Sequence, residues 1–160
     1  MTYDEAHRLF EYRDGALYWR VKPCRRDPVG MKAGYVDSRG YATVVYKRKR
    51  HYLHRVVYLM HNGVLPSEVD HIDGDKTNNR VENLRACTHS QNGQNRFVQS
   101  NSKSQVKNVS WSSARKKWVV YASINGKNTN FGGYEDIDLA ELVAAEVRSK
   151  YHGVFANHGL

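Results

Sequence analysis

The apolar residues of this chain come in short runs, and Gly, Asn or Asp residues separate most of these runs. Such punctuation predicts short strands and short helices joined by turns. No run reaches the length that a membrane-spanning helix requires, and the N-terminus lacks the apolar stretch of a signal peptide. With 160 residues, of which 40% are hydrophobic, the chain has no material for a large core. The sequence therefore predicts a small α+β protein of one ordinary domain or two very small ones, with no membrane segment.

The first 53 residues predict a short helix and then a β-rich region. Thr2 and Glu5 have the spacing of a capping box, so a helix is expected from Thr2 to Tyr12. Asp14-Gly15 interrupts the helical pattern. Four β-like segments follow, at residues 17–19, 35–36, 41–46 and 51–53, and residues 47–50 form a basic turn or strand end between the last two.

Positive charge is concentrated within this β-rich region. From Arg20 to Arg55 there are eleven Lys and Arg residues against Asp27 and Asp37, a difference that equals the net charge of +9 for the whole chain. Such a segment suits DNA, because each neutralised phosphate releases counterions and a basic two-stranded ribbon fits a groove. A solvated surface that favours solubility would have the same composition. The DNA-binding interpretation predicts contacts at Arg48, Lys49, Arg50 and Arg55.

The two cysteines, Cys24 and Cys87, stand far apart in the chain. Their spacing excludes a four-cysteine zinc site and does not indicate a disulfide framework. We therefore expect two free thiols, as in proteins of a reducing cytoplasm.

Residues 54–95 place polar side chains around two predicted strands. The pattern predicts a helix over residues 54–61 that ends at Gly63, and then strands over residues 69–72 and 81–87. A turn rich in Asp, Asn and Gly separates the two strands. Thr88 and Gln91 form a second capping box, so another helix follows. Four residues would share one face of that helix by their i, i+3, i+4 spacing: Asn92, Asn95, Arg96 and Gln99.

Hydrolysis of a phosphodiester needs a base to activate water and a cation to stabilise the charge on the phosphate. Asp70 and His71 are adjacent on the first of these two predicted strands, and Asn92 lies on the helix that follows. Mg²⁺ accepts one or two protein oxygens and keeps water and phosphate ligands besides. Asp70 and the amide oxygen of Asn92 therefore fit Mg²⁺, Mn²⁺ or another divalent cation.

The segment resembles the HNH nuclease family, particularly the phage and intron-encoded HNH homing endonucleases. The matching residues are Asp70-His71, the Asn83 of Glu-Asn-Leu, Asn92, and upstream His54-Arg55 and residues 63–66. The resemblance implies a ββα-metal fold with His71 as the general base and Asp70 and Asn92 as metal ligands. It also implies that Asn83 braces the turn and orients the histidine. The nicking subfamily has Asn at the position of Asn92, so the resemblance points to a nicking enzyme.

Several of these residues also have ordinary structural interpretations. Asn78, Asn79 and Asn83 could be turn residues with local hydrogen bonds. A calcium loop is rejected, because Asn78 stands where that loop requires Gly. His89 and Asn95 could contact phosphate or face solvent. His54 is expected to be structural or to contact phosphate rather than to act in catalysis.

The C-terminal residues predict a second module built from a sheet and a helix. Strands are expected at residues 109–111, 118–124 and 128–131, with Asn125-Gly126 as a hairpin turn. Strand alternation would turn Trp118, Val120, Ala122 and Ile124 toward the helix and Val119, Tyr121 and Ser123 outward. Asp138 would cap the helix, supported by Glu141, with Gly153 just beyond its end. One stripe of that helix would carry Leu139, Leu142, Val143, Val147 and Tyr151.

This module resembles the Apetala/ethylene-response-factor type of DNA-binding domain. The matching residues are Val109-Ser110-Trp111, Lys117-Trp118, Asn125-Gly126-Lys127, Phe131-Gly132-Gly133-Tyr134 and Lys150-Tyr151-His152-Gly153. The resemblance implies a sheet in the major groove with the helix packed behind it. The outward face departs from the family, which usually places Arg there, so we expect mainly phosphate positioning. The candidate contacts are Trp111, Arg115, Lys117, Tyr121, Ser123, Lys127, Asn128 and Asn130, together with Asn95 and Arg96 of the preceding helix.

Together these patterns predict a basic β-rich region (1–53), an HNH ββα-metal core (54–99), a linker (100–107) and a DNA-binding domain (108–160). The predicted function is a metal-dependent endonuclease that nicks double-stranded DNA, with one active site per chain, as a monomer or weak dimer. By association it would be a phage-encoded homing enzyme acting in the cytoplasm of the bacterial host. The alternative is a DNA-binding regulator without catalysis or a decayed nuclease. A third alternative, an RNA-binding accessory protein, would explain the positive charge but not the nuclease motif.

Overall fold

A computed structural model describes residues 1–23, 28–98 and 101–157 of the chain. It divides the protein into two compact units, Met1–Cys87 and Thr88–Leu160. The predictions for Cys24, Gln99, Ser100 and the last three residues lie outside the described residues. Within the described part, no helix has the length and apolar character that crossing a bilayer requires. The division into four parts stays a prediction.

The first unit opens with helix α1 (Tyr3–Leu9). The predicted capping box is confirmed: the Thr2 hydroxyl accepts from the Glu5 N–H at 3.2 Å, and the Glu5 carboxylate accepts from the Thr2 N–H at 3.1 Å. The predicted extension of this helix to Tyr12 is wrong, because strand β1 (Phe10–Arg13) begins at once and pairs with β2 (Ala16–Trp19). The pairing buries Phe10 against Trp19, with ring centroids 4.6 Å apart, and this burial outweighs local helix propensity.

A three-stranded antiparallel sheet follows, made of β3 (Tyr35–Val36), β4 (Ala42–Tyr46) and β5 (Lys49–Tyr52). The β4–β5 turn consists of Lys47 and Arg48, both at positive φ (49° and 62°), as a two-residue hairpin requires. The predicted strand over residues 51–53 is therefore shifted. It begins two residues earlier, and its last residue, Leu53, instead starts a helix.

Helix α2 (Leu53–Asn62) ends at Gly63 in the left-handed conformation (φ 73°), as predicted. It buries Leu53, Val56 and Val57 in a core that includes Phe10 and Leu17. This helix is the central element of the first unit.

Strand β6 (Glu68–His71) pairs antiparallel with β7 (Leu84–Cys87) beside α2. The predicted strand over residues 81–87 is wrong in its first part, where Val81–Asn83 forms a 3₁₀ turn. The Val81 N–H donates to the Tyr12 hydroxyl at 3.1 Å, so a side chain takes the place of a partner strand. Cys87 is a free, buried thiol, and burial raises its pKa to about 11.

The second unit begins with helix α3 (His89–Gln94), and the predicted capping box of Thr88 and Gln91 is confirmed. The helix ends at Gln94, with Asn95 as its C-cap. Arg96 lies beyond it, so the predicted shared face with Arg96 is wrong. A helix of this length with no buried residue has no packing that would extend it.

A three-stranded antiparallel sheet in the order β10-β9-β8 forms most of the second unit. Its strands are β8 (Val109–Ser112), β9 (Lys117–Ile124) and β10 (Lys127–Tyr134). Asn125-Gly126 forms the predicted hairpin turn, with φ of 51° and 78°. Val120 and Ala122 are buried as predicted, whereas Val119, expected to be outward, is only 1% exposed.

Helix α4 (Ile137–His152) packs on this sheet. Its cap is Asp136, whose carboxylate accepts from the Asp138 N–H at 2.9 Å, so the predicted cap at Asp138 is wrong. The predicted apolar stripe is wrong for three of its members, because Leu139, Leu142 and Tyr151 are 47%, 68% and 44% exposed. The prediction for Val147 is confirmed, and beside it the buried face carries Ala140 and Ala144, since small side chains let a helix approach a sheet closely.

A substitution at Gly34 would test how tightly the β3–β4 region is packed. It has φ of 91°, and a Cβ there would clash with the Thr43 carbonyl oxygen and lie 3.0 Å from Leu53 Cδ1. We expect Gly34→Ala to lower the free energy of unfolding by about 3 kcal/mol, since backbone strain and overpacking add. Gly30 has φ of 82° but nothing within 4 Å of its Cβ position, so Gly30→Ala should cost only about 1 kcal/mol. Urea denaturation of both variants measures the difference, and equal losses would contradict the packing argument.

Candidate active site

Asp70 and His71 lie at the end of β6, and both are buried (7% and 4% exposed). The strand register puts Asp70 opposite Arg85 on β7. The Arg85 guanidinium donates from Nε and Nη2 to Asp70 Oδ2, at 3.0 and 2.8 Å. A buried carboxylate without a cationic partner would be strongly destabilising. Arg85 therefore gives the buried carboxyl group of Asp70 a cationic partner with two hydrogen bonds.

The imidazole of His71 contacts the amide of Asn79. Its Nε2 lies 3.0 Å from Asn79 Oδ1, and Asn79 is itself only 3% exposed. Asn79 Nδ2 donates to the Thr77 carbonyl at 3.2 Å. The loop between β6 and β7 thus places the buried amide of Asn79 against the ring of His71, the predicted base.

Asn83 braces the same loop. Its Nδ2 donates to Asp73 Oδ1 and to the Asn78 carbonyl, both at 2.8 Å, and its Oδ1 accepts from the Asp73 N–H at 3.1 Å. Burial alone would raise the pKa of Asp73, but hydrogen bonds from Asn83 and Asn78 lower it overall. The bracing contacts that the resemblance implied for Asn83 are present, whereas the amide that contacts the histidine belongs to Asn79.

A cluster of rings surrounds His71. The His54 ring meets the His71 ring edge to face with centroids 4.8 Å apart, and Tyr41 and Tyr52 each lie 5.6 Å from His54. Burial, together with the nearby charges of His71 and Arg55, lowers the pKa of His54 to about 3. His54 is therefore neutral near pH 7.

The predicted basic contacts of the first unit differ in their surroundings. Arg48, Lys49 and Arg50 are exposed, at the β4–β5 turn and at the start of β5. Arg55 is half-buried, and its guanidinium donates to the carbonyls of Pro66 and Ser67 at 3.0 and 2.9 Å. Arg55 thus ties α2 to the chain that leads into β6, which gives it a structural role that sequence reasoning missed.

No group of three or more His, Cys, Asp or Glu side chains suited to a metal occurs in residues 1–23, 28–98 and 101–157. A hard cation that takes only one or two protein oxygens does not need such a group. The Asp70 carboxylate is a ligand of the right chemistry, so the donor set fits a sparsely held Mg²⁺ or Mn²⁺ rather than a zinc site. Asn92, the other predicted ligand, lies on α3 in the second unit.

The predicted contacts of the second unit do not all share a surface. Strand register pairs Tyr121 with Asn130 and Ser123 with Asn128, so these four lie on one face of the sheet. Lys117, 3.5 Å from Glu135, is on the same face by alternation. Trp111 pairs with Trp118 across β8 and β9, and Trp118 packs into the core under α4. Trp111 therefore belongs to the opposite face of the sheet. Arg115, Lys127 and Arg96 are exposed, and Asn95 is buried.

Sequence reasoning missed the contacts of Arg85 and Asn79. Arg85 stands opposite Asp70 in the strand register, so a correct alignment of the two strands could have found it. Asn79 was interpreted as an ordinary turn residue, and no sequence signal distinguishes it from Asn78.

The chain is similar to viral proteins and to one protein-family model. The model described as HNH endonuclease matches residues 51–94. Protein 3.8 of Escherichia phage T7 is 34% identical over 115 residues, which cover 69% of this chain and 91% of that protein. An uncharacterized HNH endonuclease of Acanthamoeba polyphaga mimivirus is 43% identical over 72 residues, covering 43% of this chain and 38% of that protein. No solved structure matches the chain.

The family match coincides with the segment that carries the site. Residues 51–94 include all of α2, β6 and β7, and hence Asp70, His71 and Arg85. The phage relative is matched over most of its own length, although the chain spans little more than a third of the mimivirus protein. Residues 51–94 therefore form an HNH endonuclease domain, and the chain belongs to the same family as Protein 3.8 of the phage.

Proposed function

We propose that the protein is a divalent-metal-dependent endonuclease that hydrolyses phosphodiester bonds of double-stranded DNA, with His71 as the general base. The observation that carries this proposal is the pair at the end of β6. Asp70 and His71 are both buried, and Arg85 and Asn79 hold them at hydrogen-bond distance. A protein that only binds DNA has no need of a buried carboxylate beside a buried imidazole.

His71 supplies the proton acceptor. As a neutral imidazole it takes a proton from a water molecule, whose oxygen then forms a bond to phosphorus while the bond to the 3′ oxygen breaks. His54 supports this step by staying neutral, since a second imidazolium beside His71 would oppose its protonation.

Asp70 supplies the charge that attracts the cation, and Asn92 is the second oxygen ligand that the sequence predicts. When bound, the cation stabilises negative charge on the phosphate and the departing oxygen. Arg85 orients Asp70 through its two hydrogen bonds. Asn83 holds the loop in shape through Asp73 and Asn78.

The proposal also covers the DNA contacts of the protein, its origin, its location in the cell and its oligomeric state. The exposed residues Arg48, Lys49 and Arg50 contact phosphates, and the outer face of the C-terminal sheet contacts a groove in the manner of the Apetala-type domain. The protein is encoded by a phage, acts in the host cytoplasm as a monomer or weak dimer, and nicks one strand for each active site. The phage relative and the single Asp-His pair support these points.

Cleavage of supercoiled plasmid in Mg²⁺ or Mn²⁺ tests the function. We expect nicked product with the native chain, no product with EDTA, and a loss of at least about 100-fold in His71→Ala, the size typical of a missing general base. His61→Ala, on the exposed side of α2, is the control and should cut like the native chain. DNA binding without cutting in either metal would instead support a non-catalytic DNA-binding protein.

The buried neutral state of His54 predicts a pH dependence of stability. The unfolded chain binds a proton at His54 below about pH 6.5, whereas the folded chain does so only near pH 3. Stability contributed by this group is therefore lost as the pH falls through that window. From about pH 7 to about pH 5 the native chain should lose about 1–2 kcal/mol more than His54→Gln, measured by urea denaturation. Equal losses would show that His54 is protonated in the folded state.

The outer face of the C-terminal sheet can be tested with a matched pair of tyrosines. Tyr121 lies on that face, whereas Tyr151 is exposed on α4. We expect Tyr121→Ala to weaken DNA binding about tenfold, the effect of losing one good base or stacking contact. Tyr151→Ala should change binding less than about twofold. Equal effects in the two variants, measured by fluorescence anisotropy at fixed salt, would contradict the assignment of this face.

A further inference from the structure

Asn79 stands out among the buried polar groups of the first unit, because its amide contacts the predicted base directly. We propose that Asn79 is the positioning residue that fixes the orientation and the tautomer of His71. The proposal rests on the proposed role of His71 as the base. It assigns to Asn79 a task that the sequence pattern had given to Asn83.

The hydrogen bonds of the Asn79 side chain determine which atom faces the ring. Its Nδ2 donates to the Thr77 carbonyl at 3.2 Å, and a carbonyl oxygen can only accept. The other end of the amide, Oδ1, therefore faces His71 Nε2 at 3.0 Å. Since Oδ1 can only accept, Nε2 carries the hydrogen, and the lone pair of the neutral ring is on Nδ1.

The surrounding loop gives this contact its rigidity. Asn79 is 3% and His71 4% exposed, so water does not compete for the hydrogen bond. The Asn79 backbone N–H also donates to the Thr77 carbonyl, at 3.1 Å. The side chain of Asn83 contacts Asp73 and Asn78 instead, so Asn83 holds the loop while Asn79 holds the ring.

The tautomer decides which nitrogen can act as a base. With hydrogen on Nε2, the proton of the attacking water goes to Nδ1, and the bond from Nε2 to Asn79 persists in the imidazolium. With hydrogen on Nδ1, the lone pair would face the Asn79 amide, and the ring could not accept a proton from water at Nδ1. Wrong-tautomer variants of catalytic histidines lose activity while they keep their fold.

The spectroscopic test uses the full chain labelled with ¹⁵N-histidine, without DNA, above the ordinary histidine pKa of about 6.5. Long-range proton–nitrogen spectra distinguish a protonated ring nitrogen from an unprotonated one, and His71→Ala identifies the His71 signals. We expect the native chain to have an unprotonated Nδ1 and a protonated Nε2. Asn79→Ala should give a mixture of the two tautomers, and Asn79→Asp, which keeps an acceptor, should retain the native signature.

Asn78→Ala is the matched control for this test. Asn78 is the neighbouring loop amide, and its side chain bonds to Asp73 Oδ2 at 2.7 Å rather than to the ring. Its removal disturbs the same loop but should leave the His71 signature native. A mixed signature in Asn78→Ala as large as that in Asn79→Ala would overturn the proposal, because loop order alone would then set the tautomer.

Kinetics supplies the second readout. We expect Asn79→Ala to lower kcat about 10- to 100-fold, as the loss of an orienting partner does at other sites. KM should change less than about threefold, since DNA binding does not involve this buried amide. Asn79→Asp should recover most of kcat, and Asn78→Ala should stay within about threefold of the native kcat. Native kcat in Asn79→Ala, or no recovery in Asn79→Asp, would overturn the proposal.

The tautomer measurement separates this inference from the proposed function. If the native chain cuts no DNA, the nuclease proposal fails, whereas the tautomer can still be measured in the free protein. If the native chain cuts and His71→Ala does not, but Asn79→Ala keeps the native tautomer and kcat, only the role of Asn79 is wrong.

Discussion

The pairing of β6 with β7 is the constraint on which the candidate site depends. Its register puts Asp70 opposite Arg85 and His71 opposite Leu84, and the chain leaves the sheet immediately after His71. A slip of one residue would turn every side chain of β6 to the other face of the sheet. The carboxylate would then lose its guanidinium, and the imidazole would lose its amide. Because Val69 and Leu84 belong to the core built around α2, the packing of apolar side chains holds the register that the polar site needs.

Around this pair, hydrogen bonds and burial constrain the polar side chains. Arg85 forms an ion pair with Asp70, Asn79 accepts a hydrogen bond from His71, and burial keeps His54 neutral. In the loop between the strands, the side chains of Asp73, Asn78 and Asn83 add hydrogen bonds of their own to those of the backbone turns. Such a network is favourable only when its members are satisfied together, since each buried polar group without a partner would be destabilising.

Much of the local structure could be predicted from the sequence because it depends on neighbours within a few residues. The capping boxes at Thr2 and Thr88, the stop at Gly63 and the Asn125-Gly126 turn are of this kind. The spacing of Asp70, His71 and Asn83 led to the HNH family, which the comparisons support. Where elements compete for the same residues the predictions were wrong: α1 ends early in favour of strand pairing, and α4 turns its alanines to the sheet.

By itself the sequence determined the family, the adjacent acid and imidazole, and the turns, since residue identity and short spacing are sufficient for these. Only the tertiary structure decided what each polar group contacts. Arg55 binds carbonyls of the chain, Arg85 binds Asp70, and of two adjacent asparagines only Asn79 is buried against the ring. The physical reason is that a hydrogen bond between groups eight or more residues apart exists only when strand register and loop closure bring the two atoms within about 3 Å. Local sequence preferences do not determine the distance between two such atoms.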